Sequence, residues 1–165
     1  MRSMEINKIS TQEQLTTIED LAYEIWHQHY TPIIGKDQVE YMLEKYQSAE
    51  AMAEQIKNGS QYFLMLDENI PLGYMSADLL ADRLFLSKFY VTKSARGKGY
   101  GRTMMAYLET LAKKNNLNKI SLTVNRYNTG SIAMYEKVGF SISGSVVNDI
   151  GEGFFMDDYQ MEKRV

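Results

Sequence analysis

The sequence predicts one α+β domain, an α/β protein in the broad sense, running over residues 1–165 on a mixed sheet. Three observations lead there. Apolar positions recur at helical spacing up to about Asn58, whereas from Tyr62 onward short β-like runs alternate with helical ones. No repeat, low-complexity run or Pro/Gly-rich linker interrupts the chain. Its 165 residues are about one domain's worth at roughly 150 per domain.

Each element carries its own signal. Ser10 with Glu13 and Thr11 with Gln14 are spaced as capping boxes, which satisfy the bare N–H groups of a first helical turn. Leu15, Ile18, Ala22, Ile25 and Trp26 follow the helical period, and Thr31–Pro32 is expected to stop it. Val39, Met42, Leu43 and Tyr46 mark a second, short helix. Ser48 is placed to cap a third, ending at Asn58–Gly59. Tyr62–Leu66 and Leu72–Asp78 read as a hairpin around the turn Asp67–Asn69. Leu84–Val91 is mostly apolar on both faces, the mark of a central strand. Over Arg102–Asn115 the period is helical again, with Lys113 and Lys114 suited to the C-terminal dipole. Ile120, Leu122 and Val124 alternate with Ser121 and Thr123 as in a strand. After the loop 125–130 a short helix is expected to end at Gly139 in the left-handed conformation. Phe140–Val147 and Phe154–Glu162 then form the last hairpin around Gly151–Gly153.

Composition removes several functions. Hydrophobic residues make up 44% and charged residues 24%, the balance of a globular chain. A net charge of −3 argues against a nucleic-acid or anionic-membrane partner, which selects a basic surface. With no Cys there is no disulfide, zinc–thiolate site or cysteine nucleophile. His27 and His29 lie two apart, about 200° around a helix, so they cannot clamp one metal from one face, and no metal is expected. The longest pure apolar run, Tyr62–Leu66, is far short of the ~18 residues a membrane span needs. The start of the chain lacks the apolar core of a secretory signal, so a cytoplasmic location is the expectation.

The first chemical signal is Arg96–Arg102. Gly97, Gly99 and Gly101 let the backbone turn sharply and approach a ligand closely at the start of a helix, where N–H groups point outward. Arg96, Lys98 and Arg102 add positive charge to an otherwise acidic chain. That combination suits a phosphate or pyrophosphate. Neither common nucleotide motif fits: G-x-x-x-x-G-K-[S/T] is absent, and a G-x-G-x-x-G would need glycine where Arg102 stands. On its own such a cluster is most often a solvated turn; a strand before and a helix after it shift the weight toward binding.

Phe89–Val91 followed by Arg96–Gly101 resembles the acetyl-CoA-binding motif of the Gcn5-related N-acetyltransferase (GNAT) superfamily, (Q/R)-x-x-G-x-(G/A). Arg96, Gly99 and Gly101 fill its three defining positions. A second segment, Asn128–Phe140, is similar to the family's Asn…Ala…Tyr…Gly-Phe run through Asn128, Ala133, Tyr135, Gly139 and Phe140. The resemblance covers about Tyr62 to Glu162. The ending, Gly153–Lys163, also resembles bacterial members related to polyamine acetyltransferases. There are two departures: Lys93 stands where the family often has Pro, and Leu84–Val91 holds no acid where histone-type members carry a Glu base.

The resemblance implies a GNAT-like mixed, mostly antiparallel sheet flanked by helices, its fourth and fifth strands splayed around the pantetheine of acetyl-CoA, the co-substrate. The segment Phe89, Tyr90, Val91 would run along the cofactor, Phe89 and Val91 giving backbone hydrogen bonds. Arg96, Gly97, Lys98, Gly99, Tyr100 and Gly101 would wrap the pyrophosphate, and Asn128 would add a contact. Backbone N–H groups near Val91 would stabilise the oxyanion formed when an amine attacks the thioester. Tyr135 would protonate the departing thiolate, a phenol near pKa ~10 and a thiol near ~8.5 being close enough to exchange a proton. The family's acceptor entry would bring Trp26, His27, His29, Tyr30 and Tyr41 near the loop Asn148–Glu152, where Asp149 and Glu152 with the aromatic side chains favour a cationic small molecule or peptide amine. Homodimers are frequent in the family. The ordinary readings stand beside these: Asn128 as a helix cap, Tyr135 as a core aromatic, Asp149 and Glu152 as solvated turn acids. A different class, a non-catalytic acyl-CoA sensor that kept the loop, would lack the proton donor that Tyr135 supplies.

Overall fold

Residues 4–165 are described by the structure, a computed structural model. Thr11 caps the first helix, α1 (Gln12–Ile34), through a complete box: its hydroxyl accepts from the Gln14 N–H and the Gln14 side chain accepts from the Thr11 N–H. Contrary to expectation, Thr31–Pro32 does not stop this helix. It runs through Pro32 to Ile34 and ends where the Gly35 N–H reaches the Thr31 carbonyl. Pro32 deletes a single bond, to the carbonyl of the exposed residue Gln28, where water can take its place. Two short helices follow, α2 (Lys36–Gln47) and α3 (Ala49–Lys57), with Ser48 capping the latter onto the Ala51 N–H.

Strands β2 (Gln61–Asp67) and β3 (Ile70–Leu79) make the expected hairpin, closed by Glu68 and Asn69, both at positive φ as a two-residue turn of this hand requires. An additional strand, β1 (Met4–Lys8), pairs antiparallel with β2; five residues of mixed polarity are too few to show a period. Then come β4 (Leu84–Val91), α4 (Tyr100–Lys114), β5 (Lys119–Asn125), α5 (Thr129–Lys137), β6 (Ser141–Gly151) and β7 (Phe154–Arg164). The helix α4 begins two residues earlier than its periodicity suggests, inside the glycine segment. The strand β6 outlasts its expected end at Val147 by four residues, so Asn148–Gly151 is strand and not loop. Gly139 closes the segment after α5 at φ 106°, left-handed as expected.

The strand order is β1-β2-β3-β4-β5-β7-β6, a mixed and mostly antiparallel arrangement. β4 is the fourth strand, central as its apolar faces imply. It pairs with β5 in parallel, and the ladder is three pairs long, Leu84↔Ile120 to Leu86↔Leu122. The chain gathers into two compact units. One runs through Asp78 and adds Lys88–Met105; the other comprises Leu79–Ser87 and Ala106–Val165. In the first, α1 packs with α2 and α3, and Ile18, Ile25, Met52, Tyr62, Phe63 and Tyr74 are buried. In the second, the β5–β7–β6 ladder and α4 bury Leu108, Ala112, Ile120 and Met161, and Lys163 pairs with Glu109 at 2.6 Å. Among the described residues no helix is long and apolar enough to cross a membrane.

Candidate active site

In the first unit, the segment between β4 and α4 is a glycine-rich turn that opens onto a helix start. Gly97 and Gly99 sit at φ 77° and 86°, a region side-chain-bearing residues rarely adopt, and a Cβ at either would project into open space. α4 starts immediately after Gly99, with no acidic residue in its first turn. The N–H groups of such a first turn, Gly101 and Arg102 among them, lie at the positive end of the helix dipole. Arg96, Lys98 and Arg102 are exposed around it. Arg96 is not wholly free to move: its Nε donates to the Val91 carbonyl at 3.2 Å, tying the loop to the end of β4.

Two sequence expectations are amended here. Tyr100 does not present its ring to a ligand; the side chain is buried and its hydroxyl donates to Asp67 Oδ2 at 2.6 Å, so it anchors the start of α4. The Val91 carbonyl already accepts a hydrogen bond from Arg96, so it is not a free acceptor at that strand end. Phe89 is buried beneath Gly101, whose absent Cβ would lie 3.9 Å from Cε1 of the ring.

Tyr90 faces the opposite way and joins an aromatic group. Its ring lies 5.7 Å from Trp26, 6.0 Å from Tyr30 and 5.4 Å from Tyr74, and the Tyr30 and Tyr90 hydroxyls are 3.1 Å apart. Three residues singled out in the sequence are thus brought together. Trp26 itself is only 2% exposed, so it shapes this wall from behind and is not a contact surface. Its Nε1 donates to the Tyr74 hydroxyl, Tyr74 donates to Gln47 Oε1, Gln47 Nε2 donates to the Tyr62 hydroxyl, and Tyr62 donates to Gln55. Every donor in this buried run has an acceptor, which fixes the rings. Burial pushes the Tyr62 hydroxyl up to about 12 and that of Tyr74 well above the ordinary phenol. Lys88, also on β4, is pulled down to about 8 by burial, with Asp78 opposing the shift.

Between α1 and α2 lies a cavity of about 360 Å³ lined by Glu19, Asp20, Glu40 and Glu44 together with Tyr23 and His27. The His27 ring sits 4.3 Å from that of Tyr23, its Nδ1 donates to the Tyr23 carbonyl at 2.8 Å, and its Nε2 is 3.7 Å from Glu40. His29 turns to Tyr30, centroids 4.9 Å apart, so the two histidines have separate partners. Tyr41 accepts from Lys45 Nζ at 3.2 Å.

In the second unit, Asn128 caps α5, its side chain accepting from the Ser131 N–H, and is 2% exposed. Tyr135 lies on the same helix, 8% exposed and edge-on to Phe140 at 5.6 Å. Asp149 and Glu152 stand at the β6–β7 turn, both exposed; Asp149 accepts the Gly151 N–H at 2.9 Å and Glu152 has φ 54°. These two belong to the second unit, Trp26, His27 and Tyr30 to the first. Sequence reasoning passed over Asp67, Gln47, Tyr74 and Asp158. The last had a usable signal: of two consecutive acids in a strand, one must face inward.

The structure thus sets a glycine-rich turn at the start of a helix that follows a central strand. The profile of the Acetyltransferase (GNAT) family matches residues 18–140, and the chain belongs to that family. It is an acetyl-CoA-dependent N-acetyltransferase, with acetyl-CoA as co-substrate. It is 25% identical over 152 residues to the spermidine N(1)-acetyltransferase of Thermoplasma acidophilum, covering 89% of this chain and 94% of that one. It is 26% identical over 106 residues to the peptidyl-lysine N-acetyltransferase YjaB of Salmonella typhimurium, covering 64% and 67%. In fold it matches the crystal structure of PaiA N-acetyltransferase from Thermoplasma acidophilum in complex with coenzyme A, with TM-score 0.85, 24% identity and 99% of each chain covered.

Proposed function

We propose that this enzyme acetylates a primary amine of a cationic small molecule of the polyamine class. The observation that carries the acceptor class is the cavity between α1 and α2, where four carboxylates and two aromatic rings line one concave space. Carboxylates attract ammonium groups and ring faces add cation–π attraction. The similarity to a spermidine acetyltransferase supports the same class. The exposed acids Asp149 and Glu152 would add to the field that draws such an acceptor.

On this reading Arg96, Gly97, Lys98, Gly99 and Gly101 hold the pyrophosphate, Tyr100 fixes the helix that presents them, and the backbone of Phe89, Tyr90 and Val91 runs along the pantetheine. Asn128 keeps α5 capped beside the cofactor. Tyr135 gives its proton to the thiolate as the C–S bond breaks. The chemistry needs no acyl-enzyme, in keeping with a chain that has no cysteine.

The cradle is tested by melting the protein with acetyl-CoA. A ligand at ~100 times its dissociation constant stabilises by about 2.7 kcal/mol, and Gly99→Val, which puts a branched side chain into the open space at φ 86°, should abolish most of that shift. An unchanged shift would move the cofactor elsewhere. Thiol release with spermidine, an aminoglycoside, a lysine peptide and a neutral amino acid, each at equal concentration, decides the acceptor; turnover confined to the neutral amine would remove the cationic class.

A further inference from the structure

Thr31 departs from the habit of other helical threonines in this chain. Thr16, Thr17, Thr103 and Thr110 each donate the hydroxyl to the carbonyl four residues back, at 3.0–3.3 Å. Thr31 Oγ1 is buried and, among the described residues, has no hydrogen-bond partner. One turn earlier on the same face of α1, His27 Nε2 is buried without a hydrogen bond as well. Leaving a buried polar atom unmet costs its full desolvation, and here two such atoms are neighbours on one helix.

Their chemistry is defined by what surrounds them. His27 Nδ1 lies 2.8 Å from the Tyr23 carbonyl, which can only accept, so Nε2 of the neutral ring is left with a lone pair. Beside it, at 3.7 Å, is Glu40 Oε1, too far for a hydrogen bond and itself an acceptor. His27 and Glu40 line the cavity between α1 and α2, and Thr31 stands between His27 and Gly35, the residue that joins the two helices. A ring nitrogen, a hydroxyl and a carboxylate thus gather toward one end of that cavity, all within the first unit.

A primary ammonium matches this set, since it brings three N–H donors and a positive charge. One nitrogen at ordinary hydrogen-bond distance, about 2.8–3.0 Å, can reach both of two acceptors 3.7 Å apart. Water would bring two donors and no charge to set against Glu40. Lys36 meets Glu40 at 3.8 Å, but its side chain is 70% exposed, so it makes a weak surface pair that a ligand can displace.

We propose that His27 Nε2, Thr31 Oγ1 and the Glu40 carboxylate seat the non-reacting primary ammonium of the acceptor, recognised by its N–H bonds and not by charge alone. The inference rests on the acceptor reading above. It narrows the polyamine class to molecules with a primary amine at each end, one held here and the other left for acetylation.

The test uses the full chain and acetyl-CoA, with thiol release from putrescine and from its analogue trimethylated at one end. The analogue keeps the length and the charge but has no N–H at the blocked end. A site that worked by charge and ring faces would accept both, whereas the seat should give the analogue a KM about 10-fold or more above that of putrescine. Thr31→Val keeps the shape and removes an unmet hydroxyl, so it should melt no lower than the wild type. It should nonetheless raise the putrescine KM several-fold and shrink the ratio between the two KM values, with the acetyl-CoA melting shift intact. Mere steric rejection of the methyl groups would leave that ratio unchanged. His27→Phe should shrink it as well; if that variant failed to fold, the wild-type ratio and Thr31→Val would still decide. Equal KM values in the wild type, or a ratio that Thr31→Val leaves unchanged, overturn this inference and let the polyamine class stand. A wild type that acetylates neither cation overturns the acceptor reading and takes this inference with it.

Discussion

Tyr135 shows how one atom can be tested apart from its ring. The ring is held edge-on by Phe140 at 5.6 Å inside the second unit, so Tyr135→Phe keeps the packing and removes the hydroxyl alone. The expected outcome is a fall in kcat of about 10²–10⁴-fold with the acetyl-CoA melting shift intact, read by steady-state kinetics and thermal denaturation. Wild-type turnover would leave thiolate protonation to water. At this scale the sequence speaks clearly wherever chemistry is local. Asn128 and Ser48 are readable as caps because a cap needs only its own next few residues. Trp26 is readable as an inward helical position for the same reason. Asp158 and Tyr100 are not: the burial of the one is set by strands from elsewhere in the chain, and the hydroxyl of the other finds its acceptor 33 residues back, at Asp67.

At the level of elements, a tight fit lies between β3 and β4. A Cβ on Gly73 would come within 2.6 Å of the Tyr90 carbonyl oxygen and 3.4 Å of Val91 Cα, both backbone atoms with no side-chain torsion to relieve them. Gly73→Ala should therefore destabilise the protein by about 1–3 kcal/mol, several degrees of melting temperature for a chain of this size. It should also weaken acetyl-CoA binding, since Tyr90 and Val91 must shift. Melting curves with and without the cofactor check both, and an unperturbed variant would show that the strand pair has slack. The helices and the central strand were legible because burial imposes a period on enough residues. β1 and the far half of β6 were not, since β6 is mostly exposed and is held by its ladder with β7 and not by apolar alternation. Pro32 was misleading because its rule assumes a helix interior; in the last turn, a helix loses one bond and continues.

On the scale of the whole molecule the deciding quantity is charge. The chain carries −3 overall, the cations of Arg96–Arg102 are gathered at the glycine-rich loop, and four carboxylates gather at the cavity between α1 and α2. Under the proposed function, opposite fields at two places would suit an enzyme that takes a polyanion and a polycation together. Such fields act over a screening length of about 10 Å at 0.1 M salt and about 3 Å at 1 M, so both affinities should fall as ionic strength rises. Glu40 is 50% exposed and paired with Lys36 at only 3.8 Å, so much of its charge is available to an incoming cation. The expected outcome is that KM for spermidine rises several-fold as salt is raised toward 1 M while kcat holds, and that KM for a neutral amine hardly moves. Glu40→Gln combined with Glu44→Gln should flatten the spermidine dependence without changing that of acetyl-CoA. If spermidine and the neutral amine respond alike to salt in the wild type, the acidic cavity does not recruit the acceptor, and amine selection must come from shape alone.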